Sequence, residues 1–104
     1  MSDKFVLNAD HELVPTDLRT WSSMFDGDQS NRTVGSTNIG DVYVSTVFLG
    51  VDHSFGRGQP LYFETMVFRG PLDQRIWRYS TWAEAEEGHA AVVWAVENGT
   101  EPDL

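Results

Sequence analysis

The sequence predicts a single α+β domain: an antiparallel meander of three to four strands, a C-terminal amphipathic helix packed on one face of it, and a short N-terminal helix. Three observations carry that prediction. Three apolar runs between Asp41 and Ser80 are rich in β-branched and aromatic residues and are separated by turn-forming clusters. Thr81-Trp82-Ala83-Glu84 has the form of a capping box at the head of an amphipathic stretch. A chain of 104 residues sits near the commonest size of one domain and can bury one core.

Taken in order, Phe5 to Leu7 reads as a short edge strand, ended by the polar Asn8-Ala9-Asp10-His11. Leu18, Trp21 and Phe25 recur at spacings of three and four, the signature of one helical stripe. Thr16 is the candidate N-cap of that helix, with Asp17 in its first turn, Pro15 before it, and Leu13 and Val14 as an extended lead-in. Residues 26–40 are polar and rich in Gly, Ser, Thr and Asn, so they read as a long loop with one extended piece around Arg32 to Val34. Asp41 to Val51 is the strongest strand. The turn cluster Asp52 to Pro60 follows, then a strand from Leu61 to Arg69, the turn Gly70-Pro71-Leu72-Asp73, and a strand from Arg75 to Ser80.

The helix from Thr81 to about Asn98 places Trp82, Ala85, His89, Val92, Val93 and Val96 on one face, Glu84 and Glu87 on the other and Glu97 on the flank, while Trp94 points away from the apolar stripe. Asn98-Gly99 stops it, and residues 99–104, with Pro102, read as a flexible tail. Alternation along the strongest strand makes both sheet faces apolar, Val42, Val44 and Phe48 on one side and Tyr43, Val47, Leu49 and Val51 on the other. Such a sheet needs two covers. The C-terminal helix supplies one, and the short first helix leaves part of the other face for a partner.

Sixteen acids against seven bases give a formal charge of −9, which repels phosphate backbones and anionic membranes, so direct nucleic-acid or membrane binding is not expected. From Glu84 onward the chain carries Glu84, Glu86, Glu87, Glu97, Glu101 and Asp103 with no Lys or Arg. The absence of cysteine removes disulfides and thiolate metal sites and favours a reducing, cytoplasmic setting. The N-terminus has no basic segment followed by an apolar one, and no window approaches the ~18 apolar residues of a membrane span.

No motif for a metal, cofactor or nucleotide is complete. Asp26-Gly27-Asp28-Gln29-Ser30 opens like a calcium loop, but Asn31 and Thr37 stand where that loop needs Gly and a bidentate Glu. Gly56-Arg57-Gly58 lacks the following helix and Lys-Ser/Thr of a phosphate loop. Asp52 and His53, at a strand end, and Glu64 are the weak catalytic candidates, with His11 and His89 as further groups that could join them. Their spacing matches no acid/base or ligand motif. Glu64 shares a strand face with Tyr62, Met66 and Phe68: if that face is core the acid needs a partner such as Arg78 or His53, and if it is surface the face is an aromatic interaction patch with one charge in it, while His89 reads as a core histidine with one hydrogen-bonded nitrogen.

The segments Ser45-Thr46-Val47-Phe48-Leu49-Gly50, Phe63-Glu64-Thr65-Met66-Val67-Phe68 and Arg78-Tyr79-Ser80-Thr81-Trp82, with Glu84, Ala85, Gly88 and His89, resemble a family of small uncharacterised proteins encoded by bacteria and phages. The resemblance covers about Asp41 to Ala90 and implies a bacterial or phage-infected interior, with no catalytic role attached. The strand followed by Thr-x-x-Glu-Ala is also similar to the antitoxin half of a bacterial toxin/antitoxin class, acidic proteins that neutralise a basic partner.

The leading expectation is a non-enzymatic acidic interaction protein that binds a basic protein partner through Glu84, Glu86, Glu87 and Glu97. If it is phage-borne, a nucleic-acid mimic that inhibits a host defence nuclease is its concrete form. The alternatives are a small enzyme or ligand-binding domain using Asp52, His53 and Glu64, and a homodimeric structural accessory protein.

Overall fold

A computed structural model describes residues 4–25 and 32–104. It has eight elements: β1 (Phe5–Leu7), β2 (Leu13–Pro15), α1 (Leu18–Ser23), β3 (Thr33–Ile39), β4 (Val42–Phe48), β5 (Phe63–Phe68), β6 (Ile76–Tyr79) and α2 (Trp82–Asn98). The fold class is α+β, as expected. β3 to β6 form a four-stranded antiparallel meander in sequence order, and β1 and β2 form a separate two-stranded hairpin.

The meander follows from alternation. In β4 and β5 one parity is buried, Val42, Val44, Thr46 and Phe48 opposite Phe63, Thr65 and Val67, and the other is half-buried. The buried parity packs under α2, whose Ala85, Gly88, Val92 and Ala95 are buried. Thr81 caps α2 through the complete capping box: the Thr81 hydroxyl accepts from the Glu84 N–H, and the Glu84 carboxylate accepts from the Thr81 N–H. Gly99 ends it in the left-handed conformation (φ 66°). The buried stripe is rotated from the expected one, because Gly88 and Ala95 lie innermost whereas Trp82, His89, Val93 and Val96 are only half-buried. Small residues sit where the helix comes nearest to the sheet, and the larger ones fill its sides.

Several sequence expectations are corrected. Most of the segment read as a loop at 32–40 is a seven-residue edge strand, β3, joined to β4 by a two-residue turn in which Gly40 takes φ 61°. Its polar residues are tolerated because Ser36 and Asn38 are exposed at a sheet edge. The calcium-loop reading, Asp26 to Ser30, lies outside the described residues. The N-cap of α1 is Asp17, whose carboxylate accepts from the Thr20 N–H, in place of Thr16. Leu18 is 63% exposed, Phe25 lies at the margin with its ring against Trp21 and Arg32, and Trp21 and the buried Met24 join the core. Of the expected stripe Trp21 meets the core, where the Gly50 carbonyl accepts from its indole N–H at 3.2 Å, and Met24, off that stripe, is buried beside it. Leu13 and Val14 form β2, paired with β1. Beyond the helix stop at Gly99, the Thr100 N–H donates to the Ala95 carbonyl and Glu101 pairs with Arg75 at 3.1 Å.

Among the described residues no helix is long and apolar enough to cross a membrane. No described helix or strand packs over the second face of the meander, which carries Tyr43, Val47, Met66, Phe68 and Ile76.

Candidate functional site

The three weak catalytic candidates each have a separate structural partner. The Asp52 carboxylate accepts from the N–H groups of Ser54 (2.7 Å) and Leu61 (2.8 Å) and from the Ser54 hydroxyl (2.9 Å). It thereby closes the loop 52–61 at its base, and the backbone donors hold its pKa below the usual carboxylate range. His53 binds the Val51 carbonyl through Nδ1 at 3.1 Å. Glu64 pairs with Arg78 at 3.0 Å on the open sheet face, directly across the β5–β6 ladder, so of the two partners the sequence offered the structure takes Arg78. No hydrogen bond or ion pair joins Glu64 to Asp52 or His53, and among the described residues no three His, Asp or Glu side chains gather as a metal-binding group. His11 stacks on Trp82, 3.7 Å between ring centroids, as a packing residue.

The loop held by Asp52 raises an aromatic side chain into solvent. Phe55 is 80% exposed at φ 55°, a conformation that favours glycine. Phe55→Gly is therefore expected to stabilise the domain by up to about 1 kcal/mol, measured by urea unfolding. A loss of stability would show that the ring makes a contact worth more than its backbone strain.

His89 differs from expectation in a way that reveals a buried polar cluster. Both of its nitrogens are hydrogen-bonded, Nδ1 to the Thr46 hydroxyl (2.7 Å) and Nε2 to that of Thr37 (2.8 Å). Thr46 also meets Thr65 at 2.5 Å, and the Tyr79 hydroxyl donates to Thr65 at 3.0 Å. One direction leaves no buried hydroxyl without an acceptor: Tyr79 donates to Thr65, Thr65 to Thr46 and Thr46 to Nδ1, so the neutral imidazole carries its proton on Nε2 and donates to Thr37. Burial lowers the His89 pKa and favours that neutral form. Gly35 makes room for the ring, since a Cβ there would lie 2.8 Å from His89 Cδ2. The cluster crosses the sheet under α2 and fixes helix register, because a slip would leave several polar groups unpaired.

The outer side of α2 carries the remaining chemistry. Glu84, Glu86, Glu87 and Glu97 are exposed, no Lys or Arg occurs in the helix, and Trp94 is 59% exposed among them. Seven residues separate Glu87 from Trp94, which puts them about 20° apart around the axis, and Glu97 follows one turn later. Among the described residues only Glu84 of these four has an internal partner, its carboxylate accepting from the N–H groups of Ser80 and Thr81. Trp94 was not among the residues singled out as a site, although its position off the apolar stripe is the signal that marks it. A cleft of about 460 Å³ adjoins this surface, between α2 and β6, lined by Trp77, Tyr79, Glu84, Glu87, Gly88 and Leu104 among others.

No protein-family model, curated protein or solved structure matches the chain.

Proposed function

We propose that the protein is a non-enzymatic interaction protein whose acidic helix face binds a basic protein partner. The observation that carries this reading is the row Glu87, Trp94 and Glu97 on the solvent side of α2, with Glu86 beside it and no cation on the helix. An exposed indole between carboxylates suits a Lys or Arg side chain twice over, through the ring face and through the charge. Aromatic anchors of this kind concentrate binding energy, while surrounding charge chiefly speeds encounter. The open sheet face, whose Glu64 is neutralised by Arg78 of the edge strand β6, supplies apolar contact to a large partner. The structural use of Asp52, His53 and Glu64 weighs against the enzymatic alternative.

A nucleic-acid-binding protein is the basic partner this surface fits best, and inhibition of a defence nuclease by mimicry is its concrete form in a phage-infected cell. Duplex DNA should then compete for the partner. The test uses the partner that co-purifies with the chain from its native host. Glu86→Lys with Glu87→Lys should weaken that complex at least about tenfold, slow its association, and leave the helical circular dichroism unchanged. Glu84 is left intact because its carboxylate serves the capping box. Equal affinity in the double variant and in Trp94→Ala would overturn the reading.

A further inference from the structure

We infer that the exposed edge of β6 docks an extended segment of the basic partner as a fifth strand, with cationic side chains directed at Glu87. The inference rests on the acidic-face reading above and names where and how the partner binds. β6 is the last strand of the meander, and among the described residues only β5 pairs with it. The Val67 N–H donates to the Arg75 carbonyl across that ladder, so antiparallel alternation turns the backbone groups of Ile76 and Arg78 away from β5. Unused N–H and C=O groups of this kind are templates for strand addition. Here the cleft of about 460 Å³ opens on β6, with Trp77 and Tyr79 on the strand side and Glu84 and Glu87 on the helix side.

Charge selects the occupant. Glu87 makes no hydrogen bond or ion pair with any described residue, and Arg78, which also lines the cleft, has its guanidinium paired with Glu64 at 3.0 Å. The helix wall of the cleft therefore carries one carboxylate, that of Glu87, with no partner among the described residues. In an added strand, residues opposite Trp77 and Tyr79 point toward α2 and meet that wall, whereas those opposite Ile76 and Arg78 lie on the open face. The fitting segment alternates Lys or Arg with aliphatic residues over the four-residue length of β6. A second copy of this chain is disfavoured at the same edge, because β6 against β6 would bring two acidic walls together.

The test is fluorescence anisotropy with a labelled octapeptide in which Val and Lys alternate. Saturable binding is expected, weakened at least about tenfold by Glu87→Lys and by backbone N-methylation of the Val amides, which lie opposite Ile76 and Arg78 and would pair with them. Asp41→Lys makes the same charge change in the exposed β3–β4 turn, across the sheet from β6, and should alter affinity less than about twofold. Equal binding of the N-methylated peptide, or equal loss in the two charge variants, would overturn edge docking while leaving the acidic-face reading intact. Loss of the acidic-face reading would show instead as co-purified partner bound equally by the Glu86/Glu87 double variant. A concentration-dependent dimer that Glu87→Lys strengthens would assign the edge to a second copy and also overturn the proposal.

Discussion

Thr46→Val is expected to destabilise the domain by about 3 kcal/mol, because it strands two buried groups at once, each unsatisfied group costing about 1–3 kcal/mol. Thr46 is fully buried, and its hydroxyl stands between Thr65 and His89 Nδ1. Valine fills the same volume without accepting from Thr65 or donating to the imidazole, so the loss is polar with little change in packing. The midpoint of thermal unfolding should fall by roughly 15 °C. A loss below about 1 kcal/mol would mean that the neighbours find other partners and that the cluster is not a register device.

The same cluster sets a pH dependence. His89 has a folded-state pKa below its unfolded value, so the unfolded chain binds the proton more readily. Stability is therefore full above the unfolded pKa of about 6.5 and declines as pH falls through it. Protonation also reverses the hydrogen-bond direction, since Nδ1–H must then donate to Thr46. The lowered carboxylates Asp17 and Asp52 act in the same direction but at more acidic pH, below about 4. Denaturation midpoints between pH 7 and 5 should thus fall in the native protein and stay flatter in His89→Gln.

How much of this was legible depends on how local each determinant is. The capping box at Thr81 and Glu84 and the stop at Gly99 are contained within single turns of chain, so both ends of α2 could be read directly. The β4 and β5 runs were legible because both carry strong β-formers at nearly every position. β3 was not, since Gly35, Ser36, Thr37 and Asn38 resemble a loop in composition. Its one local signal was Gly40-Asp41 between Ile39 and Val42, the residue type a two-residue hairpin demands. In α1, periodicity marked a stripe but could not say which side would meet the core, because the hairpin of β1 and β2 and the Gly50 carbonyl decide that from afar.

The candidate site divides along the same line. The acid on α2 is a property of composition and was visible, as was Trp94 lying off the apolar stripe. The structural use of Asp52 depends on Leu61, nine residues on, and the second partner of His89 on Thr37, fifty-two residues away. Such pairings have no sequence signature. The cleft beside β6 likewise arises only once α2 is laid across the sheet.

Gly88 decides how closely it is laid. A Cβ at this position would collide with the ring and hydroxyl of Tyr79, which is buried and tied to Thr65. Gly88→Ala should gain about 1 kcal/mol of helix propensity yet lose more to overpacking, which typically costs about 1–3 kcal/mol and rises when the obstructing group cannot turn aside. A net destabilisation of about 2 kcal/mol is expected, with α2 pushed away from β6 at the floor of the cleft. The cause is separable by a double-mutant cycle. In a Tyr79→Val background the obstruction is gone, so Gly88→Ala should become neutral or stabilising by up to about 1 kcal/mol. If alanine costs the same in both backgrounds, the collision with Tyr79 is not what requires glycine. Peptide binding gives a second readout, since a cleft whose two walls have been forced apart can no longer hold one strand against β6 while its cations reach Glu87.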